Sequence, residues 1–269
     1  QYLIYSNYFY VMSKTLDQLV GQLIIAGFRS DKVSDSSNIS RYIKKYNLSG
    51  VILYDEDLEK SEPGTRNIKS PAQVKKLTGT LQSISGVPLF ISIDQEGGHV
   101  NRLKTSYGFP EFPSWKHIGA IDNTLITKEF SNSISEAMVK TGINLNFAPV
   151  LDMDYGEKTY IGKLERAFSG DHKNVIEHSK IFIETLRNNN IISCGKHFPG
   201  QGSAFGDTHQ GFIDISDSWS VADLLPYAEL IESNHLDMIM VSHVFNDNFD
   251  PEYPASLSHE TITNSLRKD

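Results

Sequence analysis

Short, continuously apolar runs alternate along this chain with longer segments of helical period, and that alternation limits its fold more than any other feature. The runs that read as strands are Gln22–Gly27, Gly50–Tyr54, Pro88–Ile93, Leu145–Leu151, Ile191–Lys196 and Met238–His243. The helical segments are Ile39–Tyr46, Pro71–Ser85, Lys128–Thr141, Lys173–Asn189, Ser220–Ser233 and His259–Arg267. A strand that is apolar throughout is buried on both faces, as in a parallel sheet covered by helices. The order therefore predicts an α/β protein of the TIM-type (β/α)8 barrel class. Only about six β/α units can be counted where closure needs eight, so the predicted barrel is incomplete over this stretch. No linker or repeat interrupts it, and residues 12–269 read as one domain. Residues 1–11 are aromatic and uncharged and lack the basic region and cleavage site of a signal peptide. They read as an N-terminal extension or upstream remnant ahead of Met12.

Composition removes several function classes. A formal net charge of -8 without a clustered basic face argues against nucleic-acid binding. No apolar run approaches the ~20 residues that span a bilayer. The single cysteine, Cys194, excludes an intrachain disulfide and a Cys-based metal site. The histidines lack zinc-site spacing and no nucleotide-binding glycine pattern occurs, so neither a metal nor a cofactor is expected.

Chemically capable residues follow the strand-like runs: Asp94, Asp152, Lys196 with His197, and His243. Side chains converging from several strand ends are how a barrel makes a site. The richest segment is Cys194-Gly-Lys-His-Phe-Pro-Gly-Gln-Gly-Ser-Ala-Phe-Gly-Asp-Thr-His-Gln-Gly211, a glycine-rich stretch that cannot bury a large apolar surface. Within it, Asp207 and His209 are separated by one residue, a spacing that lets the carboxylate reach the imidazole, fix its tautomer and favour its protonated form, as a general acid/base requires. By itself Asp-x-His suits a solvated turn equally well. Earlier, Asp94-Gln-Glu-Gly-Gly98 puts a carboxylate at a strand end, where it can accept hydrogen bonds from ligand hydroxyls, beside a glycine pair that permits close backbone approach. Arg102 and Arg166 are available as planar forks for a polar ligand.

In this order and spacing, Ile93-Asp-Gln-Glu-Gly-Gly98, Asn146-Phe-Ala-Pro-Val-Leu-Asp152, Arg166-Ala-Phe-Ser-Gly170, Lys196-His-Phe-Pro-Gly200, Asp207-Thr-His209 and Ser242-His243 resemble glycoside hydrolase family 3, specifically its β-N-acetylglucosaminidase branch. The resemblance runs from about Leu16 to the end of the chain. It implies that Asp94, Arg102, Arg166, Lys196 and His197 hold the sugar whose anomeric carbon reacts. It also implies that His209, paired with Asp207 on a mobile loop, serves as acid/base in place of a second carboxylate. His99 and Gln201 depart from the pattern, which elsewhere has Arg and His there.

The family's nucleophile, an Asp shortly after the helix that begins at Pro254-Ala-Ser-Leu-Ser258, is expected beyond Asp269 together with the last two β/α units. This stretch alone is accordingly expected to be inactive or marginally folded, since an unclosed parallel sheet exposes two strand edges. The implied partner is an N-acetylglucosamine-containing oligosaccharide or muropeptide of peptidoglycan recycling, handled by a monomer in the cytoplasm, with an exported form left open. Three alternatives stay open: a β-N-acetylglucosaminide phosphorylase, a β-glucosidase of the same family, and a sugar-binding remnant without catalysis.

Overall fold

The computed structural model describes residues 15–57, 59–60 and 64–268. Residues 1–11 and Asp269 lie outside them. The chain divides into two compact units, one holding residues up to 93 with 140–144, the other 94–139 with the residues from 145 on.

In the first unit, helix α1 (Leu16–Gly21) opens on a capping box in which Thr15 and Gln18 satisfy each other's backbone N–H groups. Strands β1 (Ile25–Gly27), β2 (Gly50–Leu53) and β3 (Phe90–Ile93) pair in parallel, with Ile25 opposite Gly50 and Gly50 opposite Phe90. Helices α2 (Asn38–Tyr46) and α3 (Pro71–Ile84) make the two crossovers that parallel strands require. Val51, Leu53, Ile91 and Ile93 are buried, as are Ile39 and Ile43 of α2 and Val74, Leu77 and Leu81 of α3 at helical spacing. Gly50 cannot carry a side chain, because its Cβ would stand 2.4 Å from the Phe90 carbonyl oxygen. The expected strand from Pro88 is shorter because side chains replace strand partners: the Gln82 amide exchanges hydrogen bonds with Leu89, and Asn144 holds Leu89 O and Ile91 N.

In the second unit, helices α4 (Trp115–Ile121) and α5 (Thr124–Thr141) precede strand β4 (Leu145–Asn146). Then follow α6 (Tyr160–Lys163), α7 (His172–Asn188), β5 (Ile192–Phe198), α8 (Leu225–Glu232) and β6 (Met238–Val241). Strand β5 pairs in parallel with both β4 and β6. Trp115 is fully buried and meets Phe130, Phe168 and Phe182 edge-on at 5.3, 4.5 and 4.9 Å. The expected strand Leu145–Leu151 ladders only over its first two residues and resumes as a bridge from Val150 to Lys196. The expected helix from Ser220 is a 3-10 turn (Val221–Leu224) before α8, and the last helix is a π-helix over Glu260–Leu266.

These six β/α units make the fold an incomplete TIM-type (β/α)8 barrel, the class the apolar periodicity predicts. Among the described residues no helix is long and apolar enough to cross a membrane.

Candidate active site

Strand β5 delivers two adjacent side chains to one cluster, which a regular strand cannot do because neighbours point to opposite faces. The register explains it: Lys196 is opposite Met240 and Phe198 opposite Val241, so His197 is the extra residue of a bulge. Lys196 Nζ then reaches Asp94 Oδ1 at 2.9 Å and Glu96 Oε1 at 2.6 Å, with the ammonium and Glu96 shut off from solvent. Arg166 forks onto the same Glu96, Nε to Oε2 at 2.9 Å and Nη2 to Oε1 at 2.8 Å. His197 Nε2 lies 3.3 Å from Arg166 Nη2, and its Nδ1 is 2.6 Å from Asp152 Oδ2. Asp152 Oδ1 also accepts the backbone N–H groups of His197 and Gln201.

Burial alone would raise the Glu96 carboxyl, but Arg166 and Lys196 overcome it and hold the group at about 2. Burial would likewise lower Lys196, yet the attraction of Asp94 and Glu96 raises it, so the ammonium stays charged. His197 moves the other way: desolvation outweighs Asp152, and the neighbouring Arg166 and Lys196 add to the lowering. The ring is therefore neutral, with a proton on Nδ1 facing Asp152 and a lone pair on Nε2 facing Arg166. Asp94 is the carboxylate of the cluster that keeps solvent contact, with its side chain 18% exposed. A carboxylate anchored at one oxygen by a buried cation and open on its other side suits neutral hydroxyl donors.

The loop after β3 is held by Gln95, whose Oε1 accepts the N–H groups of Arg102 and Leu103, while its own backbone pairs with the Asn146 amide. Arg102 is placed by this contact and is half-buried. The glycine pair also has a structural task. At φ +103° and +57°, Gly97 and Gly98 bring the loop against its own chain, where Cβ atoms would stand 2.3 Å from Pro113 O and 2.6 Å from the Ser114 side chain.

Asp207 and His209 meet as expected: Oδ1 accepts Nδ1 at 2.8 Å and the His209 backbone N–H at 2.9 Å. The His209 side chain is 80% exposed, and with Nδ1 taken by Asp207 its Nε2 is the nitrogen left for an incoming group. Burial would raise Asp207, but its bonds from His209 and the Tyr160 hydroxyl lower it. Burial and the nearby Asp207 carboxylate raise the Tyr160 hydroxyl above its ordinary value, with Arg166 opposing.

Of the residues singled out in the sequence, the fold gathers Asp94, Arg166, Lys196 and His197 into one cluster and pairs Asp207 with His209, while Arg102 lies half-buried on the loop after β3. The sequence reading assigns no role to Glu96, the anion both cations share, although Glu96 sits inside the Asp94-Gln-Glu-Gly-Gly98 motif. Tyr160 carries no motif signal at all. Gln201, a departure from the family pattern, is a framework residue: its N–H caps Asp152 and its Oε1 accepts Ser242 Oγ at 2.6 Å. His99 is exposed. Among the described residues, no group of three or more His, Cys, Asp or Glu side chains could hold a metal ion.

Comparison with known proteins converges on one family. The family model for the glycosyl hydrolase family 3 N terminal domain matches residues 15–269. A beta-hexosaminidase of Methylobacillus flagellatus is 32% identical over 237 residues, covering 85% of this chain and 63% of that protein. The beta-hexosaminidase of Haemophilus influenzae strain Rd is 34% identical over 228 residues, 82% of this chain and 60% of that protein. Among solved structures, a glycoside hydrolase family 3 beta-N-acetylglucosaminidase from Paenibacillus sp. superposes with a TM-score of 0.84 at 32% identity, over 95% of this chain and 47% of that one. NagZ from Neisseria gonorrhoeae in complex with N-trifluoroacetyl-D-glucosamine gives 0.78 at 26% identity, over 91% and 70%. The chain spans less than two thirds of the length of these curated relatives. It belongs to glycosyl hydrolase family 3, within the N-terminal domain of that family.

Proposed function

We propose that this family member supplies the sugar-binding and proton-transfer groups of a retaining β-N-acetylglucosaminidase, acting on terminal β-linked N-acetylglucosamine of peptidoglycan-derived fragments. The names of its relatives support the activity. The observation that carries the reading is the Asp207–His209 pair, a tethered imidazole presented to solvent with Nε2 available.

In the first step, a carboxylate nucleophile forms a bond to the anomeric carbon as the glycosidic C–O bond breaks, and His209 Nε2–H gives its proton to the departing oxygen. The neutral ring then accepts a proton from water as water's oxygen bonds to that carbon and the carboxylate is released. No residue of the described chain is assigned the nucleophile's role. Asp94, fixed by Lys196, accepts sugar hydroxyls, Arg166 and neutral His197 border the same sugar, and Arg102 supplies a further donor fork. The proposed setting is a monomer in the cytoplasm handling recycled wall fragments.

The test is His209→Ala in the protein expressed from the complete gene. Cleavage of a poor leaving group, such as a second sugar, falls by about 10²–10⁴, and cleavage of an activated aryl glycoside falls far less. Equal rates for wild type and variant on both substrates would remove His209 from the mechanism. The same assay run with inorganic phosphate separates hydrolysis from phosphorolysis through the product, N-acetylglucosamine or its 1-phosphate.

A further inference from the structure

Beyond His209, the second unit carries a pair of aromatic rings that the chemistry above does not use. Phe212 and Phe245 lie with ring centroids 4.2 Å apart at 37°, and Phe212 is 67% exposed. Phe245 is half-buried while Phe212 keeps most of its ring in water, so the outer ring has a face free for a ligand. The backbone of the pair is fixed: Phe245 N–H donates to Ile213 O at 2.8 Å and Ile215 N–H to Phe245 O at 2.9 Å. Beneath it Ala204, Ile215 and Val244 form a small buried core with Ile213 and Trp219.

Alternation along this segment sets the direction of each side chain. Ser242 and Val244 are buried, whereas His243 is exposed and Phe245 half-buried, so the latter two face outward. His243, pinned by Ser256 Oγ at 2.7 Å, meets the His209 ring edge-on at 6.3 Å. The aromatic pair therefore lies two residues along the chain from the His243 ring that faces His209, and three residues beyond His209 on its own loop.

We propose that Phe212 and Phe245 form a platform that receives the sugar ring on the leaving-group side of the bond His209 acts on. This rests on the functional reading above. The occupant follows from position and chemistry: the group beside a general acid's proton is the departing alcohol, and the axial C–H face of a pyranose complements the electron-rich face of an aromatic ring. The platform thereby selects a saccharide over an acyclic leaving group.

The experiment compares Phe212→Ala, Phe212→Trp and wild type, all from the complete gene, on two substrates: the disaccharide N,N'-diacetylchitobiose and a trifluoroethyl β-N-acetylglucosaminide, which has no ring to stack. The alanine variant is expected to lose about tenfold in kcat/KM on the disaccharide and less than about twofold on the acyclic glycoside, with tryptophan restoring the disaccharide rate. An unchanged disaccharide rate, or equal losses on both substrates, overturns the platform while leaving the glycosidase reading in place. Wild type that cleaves neither substrate overturns that reading and this inference with it.

Discussion

Arg166 grips Glu96 at two points, Nε to Oε2 and Nη2 to Oε1, in a buried pairing whose Oε1 also meets Lys196 Nζ. Two cations sharing one anion, with Asp94 as the second, keep the cluster close to neutral. Removing the shared anion is therefore costly. Glu96→Gln leaves two desolvated cations facing one carboxylate, and is expected to destabilise the protein by about 3–5 kcal/mol. The pairing holds Glu96 at about 2, below its ordinary 4.5, so its contribution is complete above about pH 4.5 and is lost as pH falls through 2. Thermal unfolding of the variant at neutral pH checks this; an unchanged midpoint would show that the cluster does not depend on Glu96.

Asp207 ties down both the backbone and the ring of His209, and the Tyr160 hydroxyl adds to the lowering of its carboxyl. Asp207→Ala releases the imidazole from its orientation and is expected to lower kcat on a poor leaving group by about 10–100-fold. Tyr160→Phe keeps the pair and removes one support, for a loss below about tenfold. Steady-state rates on a disaccharide decide the order; a Tyr160 variant more damaged than the Asp207 variant would mean that the hydroxyl touches substrate itself.

Gly119 of α4 lies under the motif that carries Arg166: a Cβ there would stand 1.8 Å from the Phe168 carbonyl oxygen. Backbone cannot yield as a flexible side chain can. Gly119→Ala is expected to cost about 2–3 kcal/mol and, by displacing Phe168, to move Arg166 as well. Denaturant unfolding together with substrate KM reads both effects, and a variant as stable as wild type would show that α4 can shift freely.

Asp223 is buried, accepting Tyr155 Oη at 3.1 Å and Ser220 N–H at 3.0 Å on one oxygen. Burial, reinforced by Asp152, outweighs these bonds and lifts it to about 6 from an ordinary 3.8. A raised carboxyl binds its proton more tightly folded than unfolded. Its contribution is therefore fullest below 3.8, declines as pH rises and is gone above about 6. Asp223→Asn keeps an acceptor for both donors and cannot ionise. The melting temperature of the variant relative to wild type is expected to rise between about pH 4 and 6 and then stay level. A constant difference across that range would show that Asp223 does not titrate there.

The fold was legible because burial imposes period. Apolar runs such as Gly50–Tyr54 and Pro88–Ile93 read as strands of a covered parallel sheet, and their interruption by helical segments leaves few arrangements. Short elements escaped that logic. Helices α1, α4 and α6 are too brief to show a period, although Thr15, Ser114 and Thr159 cap each of them and could have signalled a start. Strand β4 came out shorter than its apolar run because, past Asn146, the chain reaches β5 by single hydrogen bonds, with Pro149 unable to donate.

For the site, residue types and local spacing fixed what is contiguous: Asp207 beside His209, Lys196 beside His197, Asp94 at a strand end. Which groups would meet across the chain was a matter of three-dimensional packing. A bulge at His197 turns two neighbouring side chains to one cluster, Glu96 becomes the anion between Arg166 and Lys196, and Asp152 takes up Nδ1 of His197 from another strand end. Sequence records the chemistry each residue carries; the folded backbone alone sets the few ångströms and the local dryness that decide whether those chemistries act together.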